Sequence, residues 1–219
     1  MADSLSSSHP LVWIDCEMTG LDLDNDVIIE IFCVITNGNL DVLDEEGWGA
    51  VIHQSKETMD KMPYPSLPLE ILVDRTELTE PARHTQQDEW CTKTHGASGL
   101  TAAVIASSTT AEQASTALLS YIKRFVPEPK RALLAGNTVH ADKAFLRKAP
   151  YTQVHDHFSH RILDVSSLKE AAKRWCGLDV LVGVPKKMLL HQAKADILES
   201  IEEARYYKET IFQRPRGGK

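Results

Sequence analysis

Leu11-Val12-Trp13-Ile14-Asp15-Cys16-Glu17 is the stretch on which the reading of this chain turns. It is apolar until its end, carries two carboxylates there and runs into Thr19-Gly20-Leu21, a pattern that predicts a strand stopping at a turn. Side chains alternate along a strand, so Leu11, Trp13, Asp15 and Glu17 share one face and Val12, Ile14 and Cys16 the other. The two carboxylates lie about 6.6 Å apart along the strand, a spacing from which both can converge on cations held ~3.5–4 Å apart. The plainer alternative is a strand that simply ends in polar residues facing water.

Working outward, Val27 to Ile35 is apolar and rich in β-branched residues apart from Glu30, and Asn37-Gly38-Asn39 supplies a hairpin turn into Leu40 to Ile52. Three antiparallel strands are expected. Pro63, Pro65, Pro68 and Pro81 break both ladders and helices, which predicts a long inserted loop over 63–86. Beyond it the pattern predicts a helix over Ala111 to Phe125, a buried strand over Ala132 to Gly136, and a short helix over Ala141 to Lys148. A short strand over Ile162 to Val165 follows, then a helix capped by Ser166 and running to Trp175. A last helix begins at Ala195, with Ile197, Ile201, Ala204 and Ile211 as its apolar stripe. A meander followed by strands alternating with helices is an α/β arrangement, a mixed sheet covered by helices. Residues 1–10 read as a flexible arm, 11–213 as one domain with the 63–86 insertion, and 214–219 as a basic tail.

Composition narrows the chemistry. A chain of 219 residues buries roughly 70% of its unfolded surface on folding, enough for an ordinary core. Hydrophobic content of 42%, charged content of 25% and a mean hydropathy of -0.25 argue against disorder and fibrous repeats. No apolar run approaches the ~18 residues of a membrane span, and the start reads as neither a secretory nor a mitochondrial leader. The four cysteines form no CxxC pair, so neither a zinc cluster nor a disulfide frame is signalled. A cytoplasmic location with reduced thiols is expected. The net charge of -7 opposes binding of a long polyanion, but a substrate of a few nucleotides escapes that argument.

Three further residues complete a candidate site. Asp142, three and four residues before Phe145 and Leu146, falls on the face those residues bury, where an ionised carboxylate is costly without a partner. Capping of the helix is the alternative. His191 and Asp196 are five apart and about 140° apart on a helix, so they converge only if His191 stands ahead of the first turn. In that arrangement Asp196 could hold a metal while His191 takes a proton from an attacking water. Asp15, Glu17, Asp142 and Asp196 together offer four hard oxygen ligands, which suit two divalent cations, Mg²⁺ or Mn²⁺.

Asp15-Cys16-Glu17-Met18-Thr19-Gly20-Leu21, Ala135-Gly136-Asn137-Thr138-Val139-His140-Ala141-Asp142 and His191-Gln192-Ala193-Lys194-Ala195-Asp196 resemble the three motifs of the oligoribonucleases, in the histidine branch of the DEDD exonucleases. The likeness runs from about Leu11 to Phe212 outside the insertion and includes the segments from Trp90 to Leu100 and from Asp164 to Glu170. It implies a ribonuclease H-like fold, a homodimer, and 3′-to-5′ hydrolysis of very short RNA, dinucleotides above all, to 5′-mononucleotides. By motif, Leu21 would wedge between the bases, Trp90 would stack on one, and His95 and Asn137 would help to hold the RNA. Thr138, where the family usually has Ser, would contact the 5′ phosphate; Arg161 and Ser166 from the partner subunit would close a cap that excludes longer chains. His160 replaces the family's usual Tyr, and its ring would contribute to the same contact. The family's eukaryotic members also work in mitochondria, so that location stays open beside the cytoplasmic one. A proofreading-type DNA exonuclease and a non-catalytic RNA-binding relative are the competing readings.

Overall fold

The structure is a computed structural model and describes residues 9–60, 99–186 and 193–213. The expected 63–86 loop and basic tail, together with Trp90, His95 and His191, lie outside these residues. Five strands, β1 (Leu11–Met18), β2 (Ile28–Thr36), β3 (Trp48–Val51), β4 (Leu133–Gly136) and β5 (Ile162–Asp164), form a sheet in the order β3-β2-β1-β4-β5. The first three are mutually antiparallel, and β4 and β5 run parallel to β1. The expected mixed sheet is therefore present.

The helices are α1 (Lys56–Asp60), α2 (Leu100–Ala106), α3 (Ala111–Phe125), α4 (His140–Leu146), α5 (Thr152–His157), α6 (Val165–Trp175), α7 (Leu178–Val182) and α8 (Ala193–Tyr207), with a π-helical turn over Lys208–Phe212. They cover both faces of β1, which is why this strand is apolar on both sides. Val12, Ile14 and Cys16 pack with Leu118 and Ile122 of α3 and with Phe145 and Leu146 of α4. Leu11 and Trp13 pack with Val165 and Ala172 of α6 and with Ile197, Ile201, Ala204 and Tyr207 of α8. The Trp13 indole N–H, fully buried, donates to Thr36 Oγ1 at 3.0 Å. Asp15 and Glu17 continue the α8-facing side of β1 past the end of that core.

Local physics moves several expected boundaries. The strand expected over Leu40 to Ile52 is confined to Trp48–Val51, with one bridge between Thr36 and Val42. Between them, Leu40 and Gly47 adopt positive φ. The backbone carbonyls of this stretch bond to α8 and its following turn: Arg205 donates to Leu40 O, Lys208 to Asn39 O, and Lys194 to Glu45 O and Glu46 O. Ser166 is not the cap of α6: the cap is Asp164, whose side chain accepts from the Ser166 amide. A carboxylate outcompetes the hydroxyl because it carries a full charge toward the helix N-terminus. α3 occupies the predicted span and carries a reciprocal cap between Thr110 and Gln113. The short α1, α2, α5 and α7 were not expected. They have at most seven residues, too few for a periodic signal.

Leu134 is fully buried at the centre of β4. Leu134→Ala is expected to cost about 3 kcal/mol, read as a lower urea midpoint at unchanged slope.

Candidate active site

The site sits at the carboxyl end of β1, where its neighbours part. β4 pairs with β1 only over Leu11 to Trp13, so the backbone beyond is open on that edge. Asp15 and Glu17 project from this open end, and Asp196 comes from the first turn of α8. Each of the three offers an oxygen, and these atoms all lie within 4.8 Å of one another. Asp142, 6% exposed in the first turn of α4, accepts from the Cys16 amide at 2.9 Å. It is not the N-cap residue, a position held by Val139, and lies inside the first turn of α4. The structure thus gathers three of the four expected ligands and holds the fourth against the peptide between the first two.

So much negative charge in a half-dry site raises proton affinity. Burial pushes the Asp15 carboxyl well above the ordinary range, reinforced by Asp142, Glu17 and Asp196. Glu17 is pushed up to about 8 by burial, then by Glu30, Asp196 and Asp142. Burial also raises Asp142, to about 7, against the opposing Cys16 amide bond. Glu30 is a carboxylate of the site not anticipated as such, directly across from Glu17 in the β1–β2 register. Its signal was present: a lone charged residue inside the apolar run of β2. Hard oxygens crowded against their own repulsion are the donor set that a divalent cation fits.

The residues expected to contact a substrate fall into two groups. Leu21 stands 43% exposed in the turn between β1 and β2, and His160 and Arg161 are exposed just before β5. Asn137, Thr138 and Ser166 are instead engaged with one another's surroundings. The Asn137 amide donates from Nδ2 to Ser200 Oγ at 2.7 Å, and the Ser200 hydroxyl donates to the Asp196 carbonyl at 2.7 Å. Asn137 Oδ1 is buried without a hydrogen-bond partner among the described residues. Thr138 has a φ of 53°, strained for a β-branched residue. Its amide donates to Asp164 Oδ1 at 2.9 Å and to Ser166 Oγ at 3.1 Å. The Ser166 hydroxyl donates to the same Asp164 oxygen at 2.6 Å, so within one chain it already has a partner. Asp164 therefore fixes this turn, a role its place in the Asp164-Val165-Ser166 segment did not disclose.

The exonuclease family of RNase T matches residues 12–67 and 69–204. A mitochondrial oligoribonuclease of Saccharomyces cerevisiae is 40% identical over 213 residues, covering 94% of this chain and 69% of its own. One of Mus musculus is 39% identical over 214 residues, covering 98% of this chain and 78% of its own. Among solved structures, the zinc-bound form of an E. coli exonuclease I complex with single-stranded DNA superposes with a TM-score of 0.56 at 14% identity. That match covers 94% of this chain and 42% of the exonuclease, and it establishes the shared ribonuclease H-like fold.

A carboxyl group whose pKa is higher in the folded chain than in the unfolded one stabilises fully below its unfolded value; that contribution disappears as pH rises through the folded value. For Glu17 the interval runs from 4.5 to about 8. The metal-free melting temperature is therefore expected to fall across this interval. Mn²⁺, which favours the ionised carboxylates, should raise it by a few degrees more at about pH 8 than at about pH 5. Scanning fluorimetry checks both, and Glu17→Gln should flatten the metal-free profile.

Proposed function

Because the chain belongs to the oligoribonuclease family of exonucleases, we propose that it hydrolyses very short oligoribonucleotides, dinucleotides above all, from the 3′ end to 5′-mononucleotides. The observation that carries this reading is the convergence of Asp15, Glu17 and Asp196 at the open end of β1, with Asp142 buried beside them. These four carboxylates would hold two divalent cations, Mg²⁺ or Mn²⁺. When bound, such a pair supplies charge stabilisation for the attacking water and for the leaving 3′ oxygen. His191 accepts the proton of that water, a task suited to an imidazole that titrates near neutrality.

The other residues select the substrate. Leu21 wedges between the two bases, Trp90 stacks on one, and His95 and the Asn137-Thr138 turn hold the sugar-phosphate, with Thr138 at the 5′ phosphate. Ser166, expected from the partner subunit, instead has its Oγ 3.4 Å from Thr138 Oγ1 in the same chain and joins Thr138 at that phosphate; the far side is left to Arg161 of the partner subunit, joined by His160, whose ring is shorter than the tyrosine usual there. A closed site leaves few phosphates to neutralise, which reconciles RNA chemistry with a net charge of -7. The homodimer is supported by an apolar strip. Trp175 at the end of α6 is 81% exposed, and Leu178 and Val182, one turn apart on α7, are 77% and 85% exposed. Large apolar side chains this exposed and this close in the chain favour burial against a second copy. No helix among the described residues is long and apolar enough to cross a membrane; cytoplasm and mitochondrion both suit the reaction.

Asp142→Asn is expected to lower turnover roughly 10³-fold or more with little change in melting temperature, measured by mononucleotide release with Mn²⁺ present. A labelled diribonucleotide should be cleaved much faster than a 20-nucleotide RNA, and faster than the matching deoxydinucleotide. Equal rates on the two RNAs would remove the closed site. Trp175→Glu should shift the protein from dimer to monomer in light scattering.

A further inference from the structure

The turn between β1 and β2 is closed by hydrogen bonds yet carries two exposed leucines. The Thr19 hydroxyl donates to Asp26 Oδ1 at 2.7 Å, and the Asp22 amide donates to Asp26 Oδ2 at 2.8 Å. The Val27 amide donates to Thr19 Oγ1 at 3.1 Å, and the Thr19 amide returns a bond to the Val27 carbonyl at 3.0 Å. Asp26 is thus buried at the centre of the loop, 5% exposed. Gly20 makes room for it, since a Cβ there would stand 2.3 Å from Asp26 Oδ2.

A second tie comes from outside the loop. Lys148, two residues beyond α4, donates to the Leu23 carbonyl and to the Asp26 carbonyl, the latter at 3.2 Å. Its ammonium lies 5.7 Å from the centroid of the Phe145 ring, which steadies the stem. One end of α4 therefore holds this loop while its first turn holds Asp142 against β1. Leu21 and Leu23 remain 43% and 42% exposed. Freezing a loop costs conformational entropy, and leucines left in water return little of it. The order is useful to a ligand, because an apolar edge already in place need not be immobilised on binding.

We infer that Asp26 and Lys148 are positioning residues for the substrate: they act through the closed loop to hold Leu21 where it meets the bases, and the inference rests on that reading of Leu21. Neither touches the reacting atoms. Their loss should appear in KM and leave kcat nearly untouched.

The test is steady-state kinetics of the metal-loaded full chain on a diribonucleotide, with Lys148→Met, Lys148→Arg, Leu21→Ala and the Leu21→Ala/Lys148→Met pair. Lys148→Met keeps the stem and loses the donors. It should raise KM about five- to tenfold with kcat within about twofold, and Lys148→Arg should recover most of the loss. In the Leu21→Ala background the same change should move KM by less than about twofold. An equal rise in both backgrounds means that the lysine acts on the substrate by charge alone, and overturns the inference, as does no rise in the wild-type background. If Leu21→Ala itself leaves KM unchanged, the reading of Leu21 falls, a separate result. Asp26→Asn should repeat the Lys148→Met pattern; should it fail to fold, faster exchange of the Asp22 and Val27 amides in Lys148→Met tests the tie directly, and unchanged exchange overturns it.

Discussion

Repulsion among carboxylates at one end of a buried strand is the constraint on which the rest of this structure depends. Asp15, Glu17 and Asp196 bring oxygens within 4.8 Å of one another, and Glu30 lies across from Glu17 on the neighbouring strand. Burying like charges together costs folding energy that apolar residues of similar size would not. The apolar remainder of β1 offsets it. Trp13 and Ile14 are essentially fully buried, one on each face of the sheet, and they fix the pleat that carries Asp15 and Glu17 to the same side. A cation between the oxygens turns the unfavourable term into an attractive one, so the cost is local and conditional on what is bound.

Segments far apart in the chain reach this end of the sheet through a small set of polar ties. Thr138 sits at positive φ because its amide, together with the amide and hydroxyl of Ser166, converges on Asp164 Oδ1. The carboxylate that caps α6 therefore also shapes the turn from β4 into α4. Asn137 and Ser200 then connect that turn to the Asp196 carbonyl at the start of α8. Strain at Thr138 is sustained by bonds from two directions, as expected where backbone geometry serves a site.

What could be read in the sequence follows from how the information is stored. The elements of the sheet, though not their order, are encoded in periodicity: the apolar runs of β1, β2 and β4 and the stripe of α8 are long or regular enough to declare themselves. The chemistry of Asp15, Glu17, Asp142 and Asp196 is encoded in residue type, and the resemblance supplied their grouping. Hydrogen bonds between distant segments leave no such trace. The Asn137–Ser200 tie and the Lys148 tether join residues 63 to 125 positions apart in ways that no local pattern contains. The stretch after Asn39 misled for the same reason. Its sequence permits a strand, but cations of α8 and the turn after it capture its carbonyls.

Asp142 shows how one strand can organise a site on both of its faces. Cys16 lies between Asp15 and Glu17, so its side chain points into the opposite core while its amide lies in the plane of the sheet. That amide would ordinarily serve a neighbouring strand, but β4 leaves β1 after Trp13. Gly136 ends β4 at a close approach, where a Cβ would stand 3.2 Å from the Ile14 carbonyl. The chain then turns into α4, whose first turn delivers Asp142 to the vacated amide. The early end of one strand thus creates both the donor and the helix that satisfies it. β1 contributes two carboxylates through its side chains and fixes a third through its backbone, which is why the site lies where the strand directions diverge.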